Sequence, residues 1–178
     1  MLMLTALAGA LASDTAAPPE PAAPRDPAFE CFHVNHAWGF ALAGSVLDRD
    51  GAIYRYRTRG VDRSPAAEKS GGATYFAGPA LRAKFAEAAR GGAVDAALVA
   101  EKLALAEKAA TGAVTRADTG TRDAGVSTCH AYLRDAASDR YRDVELGSDN
   151  GAGDVRLRND APEAQALLEW LSSIGAAQ

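Results

Sequence analysis

The sequence changes character at Phe29, and that boundary limits what can fold. Residues 1–12 (MLMLTALAGALA) are apolar and uncharged, and they close on Ala10-Leu11-Ala12, a small-x-small pattern of the kind cut in secretory signals. Residues 13–28 form a tract dominated by proline and alanine, with too little bulky apolar surface to offset the entropy of ordering it. From Phe29 onward about 150 residues remain, enough for one domain burying roughly two-thirds of its unfolded surface. The expected organisation is a signal-peptide-like segment (1–12), a disordered tether (13–28) and a single domain (29–178).

The export signal lacks one part: no Lys or Arg precedes Arg25, so the native start is expected upstream, with basic residues. The apolar run, about a dozen residues, is well short of the roughly 20 that span a bilayer, which argues against a transmembrane anchor. Ser13 stands where a lipoprotein box needs Cys. These features predict a periplasmic or secreted protein. Nineteen Lys and Arg against 23 Asp and Glu give a formal charge of −4, which disfavours nucleic acid or an anionic membrane as partner. The two cysteines, Cys31 and Cys129, have one possible pairing, and in an oxidising compartment a disulfide is the simplest outcome. It would tie the first strand to a strand near the end, closing a loop of about 98 residues.

The remainder reads as α+β. Residues 30–47 suggest two extended segments hinged at Trp38-Gly39, and Asp50-Gly51 has the chemistry of a tight hairpin. The following AIYRYRT alternates, with Ile53, Arg55 and Arg57 on one face and Tyr54 and Tyr56 on the other. Gly60 to Gly72 reads as a loop. Pro79 suits a helix start, and Leu81, Phe85 and Ala88/Ala89 continue at helical spacing until Gly91-Gly92. A second helix is expected over Val94–Ala110. Strands resume from Val114, through CHAYLRD, RYRDVEL and DVRLRN. Asp160 and Glu163 have capping-box spacing ahead of a closing helix with Leu167, Leu168, Leu171 and Ile174 as its apolar stripe. The prediction is an antiparallel sheet built from N- and C-terminal meanders, with a central helix pair and a C-terminal amphipathic helix.

Few residues suggest chemistry. His33, His36 and His130 flank the cysteines, and three imidazoles with an open fourth position would suit catalytic zinc. Strand alternation opposes this, since His33 and His36 face opposite ways and His130 faces away from Cys129. The Asn35–Gly39 stretch (NHAWG) superficially resembles the Asn-Ser-Trp-Gly segment of papain-like proteases. The chain order and the element carrying Cys31 both depart from that family. Asp48 and Asp50 overlap the centre of a calcium loop, but Val46 and Arg57 occupy positions where ligands are required. No phosphate loop follows a strand, and no cofactor is implied. Arg55, Arg57 and Arg59 make the one concentrated positive stripe, extended by Arg156 and Arg158 or neutralised across strands by Asp143 and Glu145.

CFHVNHAWGFALAGSVLDRDGAIYRY, with DAGVSTCHAYL and NDAPEAQALLEWL, resembles a scattered group of uncharacterised bacterial exported and lipoprotein-like sequences. They share an Asn-x-x-Trp-Gly stretch, an Asp-x-x-Gly hairpin with aromatic alternation and a closing Trp-Leu helix. The resemblance implies a compact envelope domain and carries no functional residue with it. The expected function is a non-catalytic exported binding or accessory module, inhibitor- or immunity-like, for a protein or small ligand of the cell envelope. Its candidate surface is Asn35, His36, Trp38, Arg55, Arg57 and Arg59. The alternative is a histidine- or metal-dependent hydrolase centred on His33, His36 and His130. Trp38 is expected in the core, within the stretch most sensitive to substitution.

Overall fold

Alternation along the first strand sets up both faces of the sheet. In the computed structural model, which describes residues 23–37, 39–117, 125–150 and 154–176, that strand is β1 (Pro27–Asn35). It is followed by β2 (Ala41–Asp48), β3 (Ala52–Arg59), β4 (Ala67–Ser70), β5 (Ala73–Ala77), α1 (Gly78–Lys84), β6 (Ala89–Ala93) and α2 (Ala96–Ala109). Then come β7 (Val114–Arg116), β8 (Val126–Asp135), β9 (Arg140–Asp149), β10 (Val155–Asn159) and α3 (Pro162–Ser173). The strands run in the order β4-β5-β9-β8-β1-β2-β3-β6, with β10 on β9 and β7 on β10, and each ladder is antiparallel. The N- and C-terminal meanders meet along the β1–β8 seam. This is the α+β class that the sequence predicts. Among the described residues no helix is long and apolar enough to cross a membrane.

The helices divide between the two faces. Phe29, Leu47, Ile53, Ala131, Val144 and Leu146 form one core with Val99, Leu103 and Ala106 of α2 and Ala164, Leu167 and Leu171 of α3. Trp170 of α3 sets its ring edge-on to Phe29, with centroids 5.3 Å apart. On the opposite face Val46, Tyr54, Tyr56, Tyr132 and Tyr141 pack with Leu81 and Phe85, contributed by α1 and the turn after it. Full burial of each such aliphatic or aromatic side chain contributes roughly 1.5–3 kcal/mol, so both layers matter to stability.

Several local expectations give way to tertiary pairing. The helix read over 79–89 ends at Lys84, and Ala89–Ala93 instead forms an edge strand against Ala52–Arg55. Gly91-Gly92 therefore lies flat along β3 rather than stopping a helix. The expected helix pair is split by β6, its members on opposite sides of the sheet. Residues 67–70, read as loop, pair with β5. The capping box at Asp160 and Glu163 does not form: Ala161 is the N-cap, Pro162 follows, and the Asn159 amide oxygen accepts from the Ala161 N–H at 3.1 Å. In the Asp50-Gly51 hairpin only Gly51 takes a positive φ, 89°. A Cβ there would sit 2.1 Å from the Val94 carbonyl oxygen, so close approach to the segment before α2 also demands glycine.

The boundary read at Phe29 falls inside β1. Ala28 is fully buried, and the N–H groups of Arg25 and Asp26 donate to the Asp48 carboxylate at 2.9 and 2.7 Å. The signal-like segment and residues 13–22 of the expected tether lie outside the described residues, as does Trp38.

Candidate functional site

Strand register carries the chemistry of the helix-bearing face. Phe29, Leu47 and Ile53 make one row across β1, β2 and β3, and this row is buried beneath the helices. The next rows are Cys31–Ser45–Arg55, His33–Ala43–Arg57 and Asn35–Ala41–Arg59. Directly opposed residues of antiparallel strands share a face, so the face turns from apolar to basic as it leaves the helices. On the β8 side Cys129 opposes Cys31 and Ser127 opposes His33. The Cys31–Cys129 bridge is formed, with the sulfurs 2.08 Å apart and the Cα atoms 4.1 Å apart. It joins adjacent strands from opposite ends of the chain.

Arg55, Arg57 and Arg59 are exposed, and among the described residues none makes an ion pair. Elsewhere Arg49, Arg63, Arg82, Arg134 and Arg140 each meet a carboxylate within 3.1 Å. The neutralisation considered from sequence does not occur. Asp143 pairs with His130 and Glu145 with Arg116, on strands well across the sheet from β3. Nor do Arg156 and Arg158 extend the stripe, because β10 lies beyond β9. Guanidinium groups on one face at every second residue stand about 6.6 Å apart. Their mutual repulsion, about 0.6 kcal/mol per neighbouring pair in water, turns into attraction when a carboxylate approaches. Between the arginines and His33 and Asn35 the opposed β2 side chains are small: Ala41, Ala43 and Ser45.

Asn35 closes β1 by accepting from the Ala37 N–H at 2.8 Å through its amide oxygen. His36 is exposed, its ring 5.5 Å from that of Phe40. The three histidines occupy three separate places. His33 bonds Ser127 Oγ at 3.1 Å on the helix-bearing face, whereas His130 lies on the opposite face. The disulfide brings β1 and β8 together, but alternation turns their histidines apart. Among the described residues no group of three His, Cys, Asp or Glu is placed to hold a metal ion.

A second polar constellation is buried under α1. Glu30 is fully enclosed, and its carboxylate accepts from the Tyr56 and Tyr132 hydroxyls and from Lys84 Nζ, 2.6 Å away. His130 stacks between Phe32 and Tyr132 and donates from Nδ1 to Asp143 at 2.7 Å. Burial pushes the Glu30 carboxyl up. The charges of Lys84 and His130, with hydrogen bonds from Lys84 and Tyr132, outweigh it and hold the group below its ordinary range. For His130 burial pushes the imidazole down, while Asp143 and Glu30 outweigh it and favour the imidazolium. Burial and the Glu30 charge push the Tyr56 and Tyr132 phenols up, keeping both as donors. Two anions and two cations thus balance. The Lys84 side chain is 8% exposed, and the depression beside it, walled by Leu42, Tyr56, Thr58 and Arg63, holds about 10 Å³. That volume admits one water and no substrate. The cluster clamps α1 to the sheet.

A roomier cavity of about 490 Å³ lies between β8, β9, β10 and α3, floored by the disulfide, Leu146, Leu157 and Leu168 and edged by Ser127 and Gln165. The chain matches no protein-family model, no curated protein and no solved structure.

Proposed function

We propose that this protein is a non-catalytic, exported accessory module that binds an acidic protein partner through the open sheet face carrying Arg55, Arg57 and Arg59, with Asn35 alongside. The observation that carries this reading is the stripe itself: three exposed guanidinium groups on one face, without counter-charges among the described residues, in a chain whose net charge is −4. Long-range charge complementarity of this kind raises encounter rates and selects partners. The buried ionic cluster supports a binding rather than catalytic role, because its carboxylate, lysine and tyrosines are all committed to one another. The disulfide and the apolar, uncharged first twelve residues support a periplasmic or secreted setting.

The test is capture from envelope extract by immobilised wild type and by R55Q/R57Q/R59Q. The reading requires an acidic protein that is retained by wild type, released by moderate salt and absent from the variant's eluate. Identical eluates from the two proteins would refute it.

A further inference from the structure

The edge beside the arginines is open. β6 pairs with β3 only along Ala52–Arg55, so Tyr56–Arg59 continues past the end of the last strand of the sheet. Hydrogen-bond parity shows which backbone groups face outward there. The Gly60 N–H donates to the Phe40 carbonyl at 2.8 Å, which makes Phe40–Gly60 a hydrogen-bonded pair. Antiparallel pairs alternate, so Leu42–Thr58 and Gly44–Tyr56 are also bonded pairs, while the backbone groups of Arg57 and Arg59 point away from β2. Pairing of Arg55 with Ala89 of β6 obeys the same parity. Among the described residues no backbone hydrogen bond reaches Arg57 or Arg59 from the outer side. Two N–H and two C=O groups therefore stand free at the residues that carry unpaired guanidinium groups.

We propose that the partner docks by strand addition: an extended acidic segment pairs antiparallel with the β3 edge beyond β6, placing carboxylates at alternate positions opposite Arg57 and Arg59. This rests on the arginine face being the binding surface and specifies how the acid is presented. In a hydrogen-bonded antiparallel pair the opposed residues share a face, so the groups that exchange backbone bonds with Arg57 and Arg59 also present their side chains to the guanidinium groups. The residue between the two acids faces the other way, on the side of Thr58, where the depression beside Lys84 is too small to take its side chain and asks for none in particular. A second copy of this chain is a poor occupant, since antiparallel self-pairing of β3 would oppose arginine to arginine. Charged residues on an edge discourage indiscriminate pairing, and here their sign makes the edge selective for acid.

The probe is a fluorescent seven-residue peptide alternating glutamate with threonine, titrated into the full-length protein at low salt. Three controls accompany it: the same peptide N-methylated at each glutamate amide, a permuted peptide with contiguous glutamates, and the protein variant R57Q/R59Q. We expect the alternating peptide to bind, its affinity to fall about tenfold in R57Q/R59Q, N-methylation to abolish binding, and the permuted peptide to bind more weakly. Amide exchange at Arg57 and Arg59 should slow in the complex. Equal binding of the N-methylated peptide, or unchanged exchange at Arg57 and Arg59, overturns strand addition while leaving an acid-binding face intact. Undiminished binding to R57Q/R59Q overturns the arginine face as well. No binding of the alternating peptide at millimolar concentration overturns strand addition.

Discussion

Glu30 shows how one residue can organise a face of the fold. It sits between Phe29 and Cys31 at a position where alternation demands a core side chain, and it is accommodated only because Lys84, Tyr56 and Tyr132 converge on it. Removing one member of a buried ion pair strands the other, so Lys84→Met should destabilise the protein by about 3–5 kcal/mol. Chemical denaturation of the variant checks this, and a loss below about 1 kcal/mol would mean that Glu30 escapes to water. His130 gives a pH signature. Its folded-state pKa is raised above 6.5, so its contribution is fully present below the unfolded-state value and is lost as pH rises through the folded-state value. The stability difference between wild type and His130→Gln, measured by denaturation across pH, should shrink from pH 6 toward pH 9. The Glu30 carboxyl, held low, acts oppositely, its contribution being present above about 4.5 and lost on acidification. None of this was legible in the sequence. An acid at an inward strand position has no visible partner when that partner is a lysine 54 residues later in the chain, on a helix laid over the same face by tertiary packing.

At the scale of elements, periodicity located the long strands and the last two helices, because each buries a face of its own. α2 forms within the 94–110 span read as helix. Of Leu98, Leu103 and Leu105, its expected apolar residues, only Leu103 is buried, and Val99, Ala106 and Ala109 complete the buried face. In α3 Leu167 and Leu171 are buried where helical spacing places them. The reading failed where an element is defined by its neighbour. β4 and β6 are exposed strands without an apolar face, existing because β5 and β3 present free ladders to them. The disulfide was legible from two cysteines and one possible pairing. It joins strands 98 residues apart, and C31A/C129A should lower stability by up to about 4–5 kcal/mol on chain-entropy grounds. Thermal unfolding with and without reductant tests this, and intact mass after alkylation reports the oxidation state. If reduction leaves the melting temperature unchanged, the β1–β8 ladder alone holds the two meanders together. Gly51→Ala offers a local test, since it sets a Cβ against Val94 and forces a positive φ. About 1–3 kcal/mol should be lost.

Across the whole molecule, the candidate surface follows from how the helices cover the sheet. α2 and α3 bury the Phe29–Leu47–Ile53 row, and beyond them the same face opens into rows ending in Arg55, Arg57 and Arg59. Sequence alternation put Arg55 and Arg57 on one face correctly. It did not show that Asp143 and Glu145 are committed elsewhere, which depends on strand order and not on spacing. The candidate surface thus emerges only when topology places β9 three strands from β2. The most direct measurement is the map of backbone amide shifts when a polyglutamate chain is titrated into isotopically labelled protein. The account predicts that the changes concentrate on β3 from Arg55 to Arg59 and on Asn35, saturate at low salt, and vanish in R55Q/R57Q/R59Q, whose melting temperature stays within about 2 °C of wild type. Shifts centred instead on the cavity beneath α3, or shifts that persist in the variant, would contradict it.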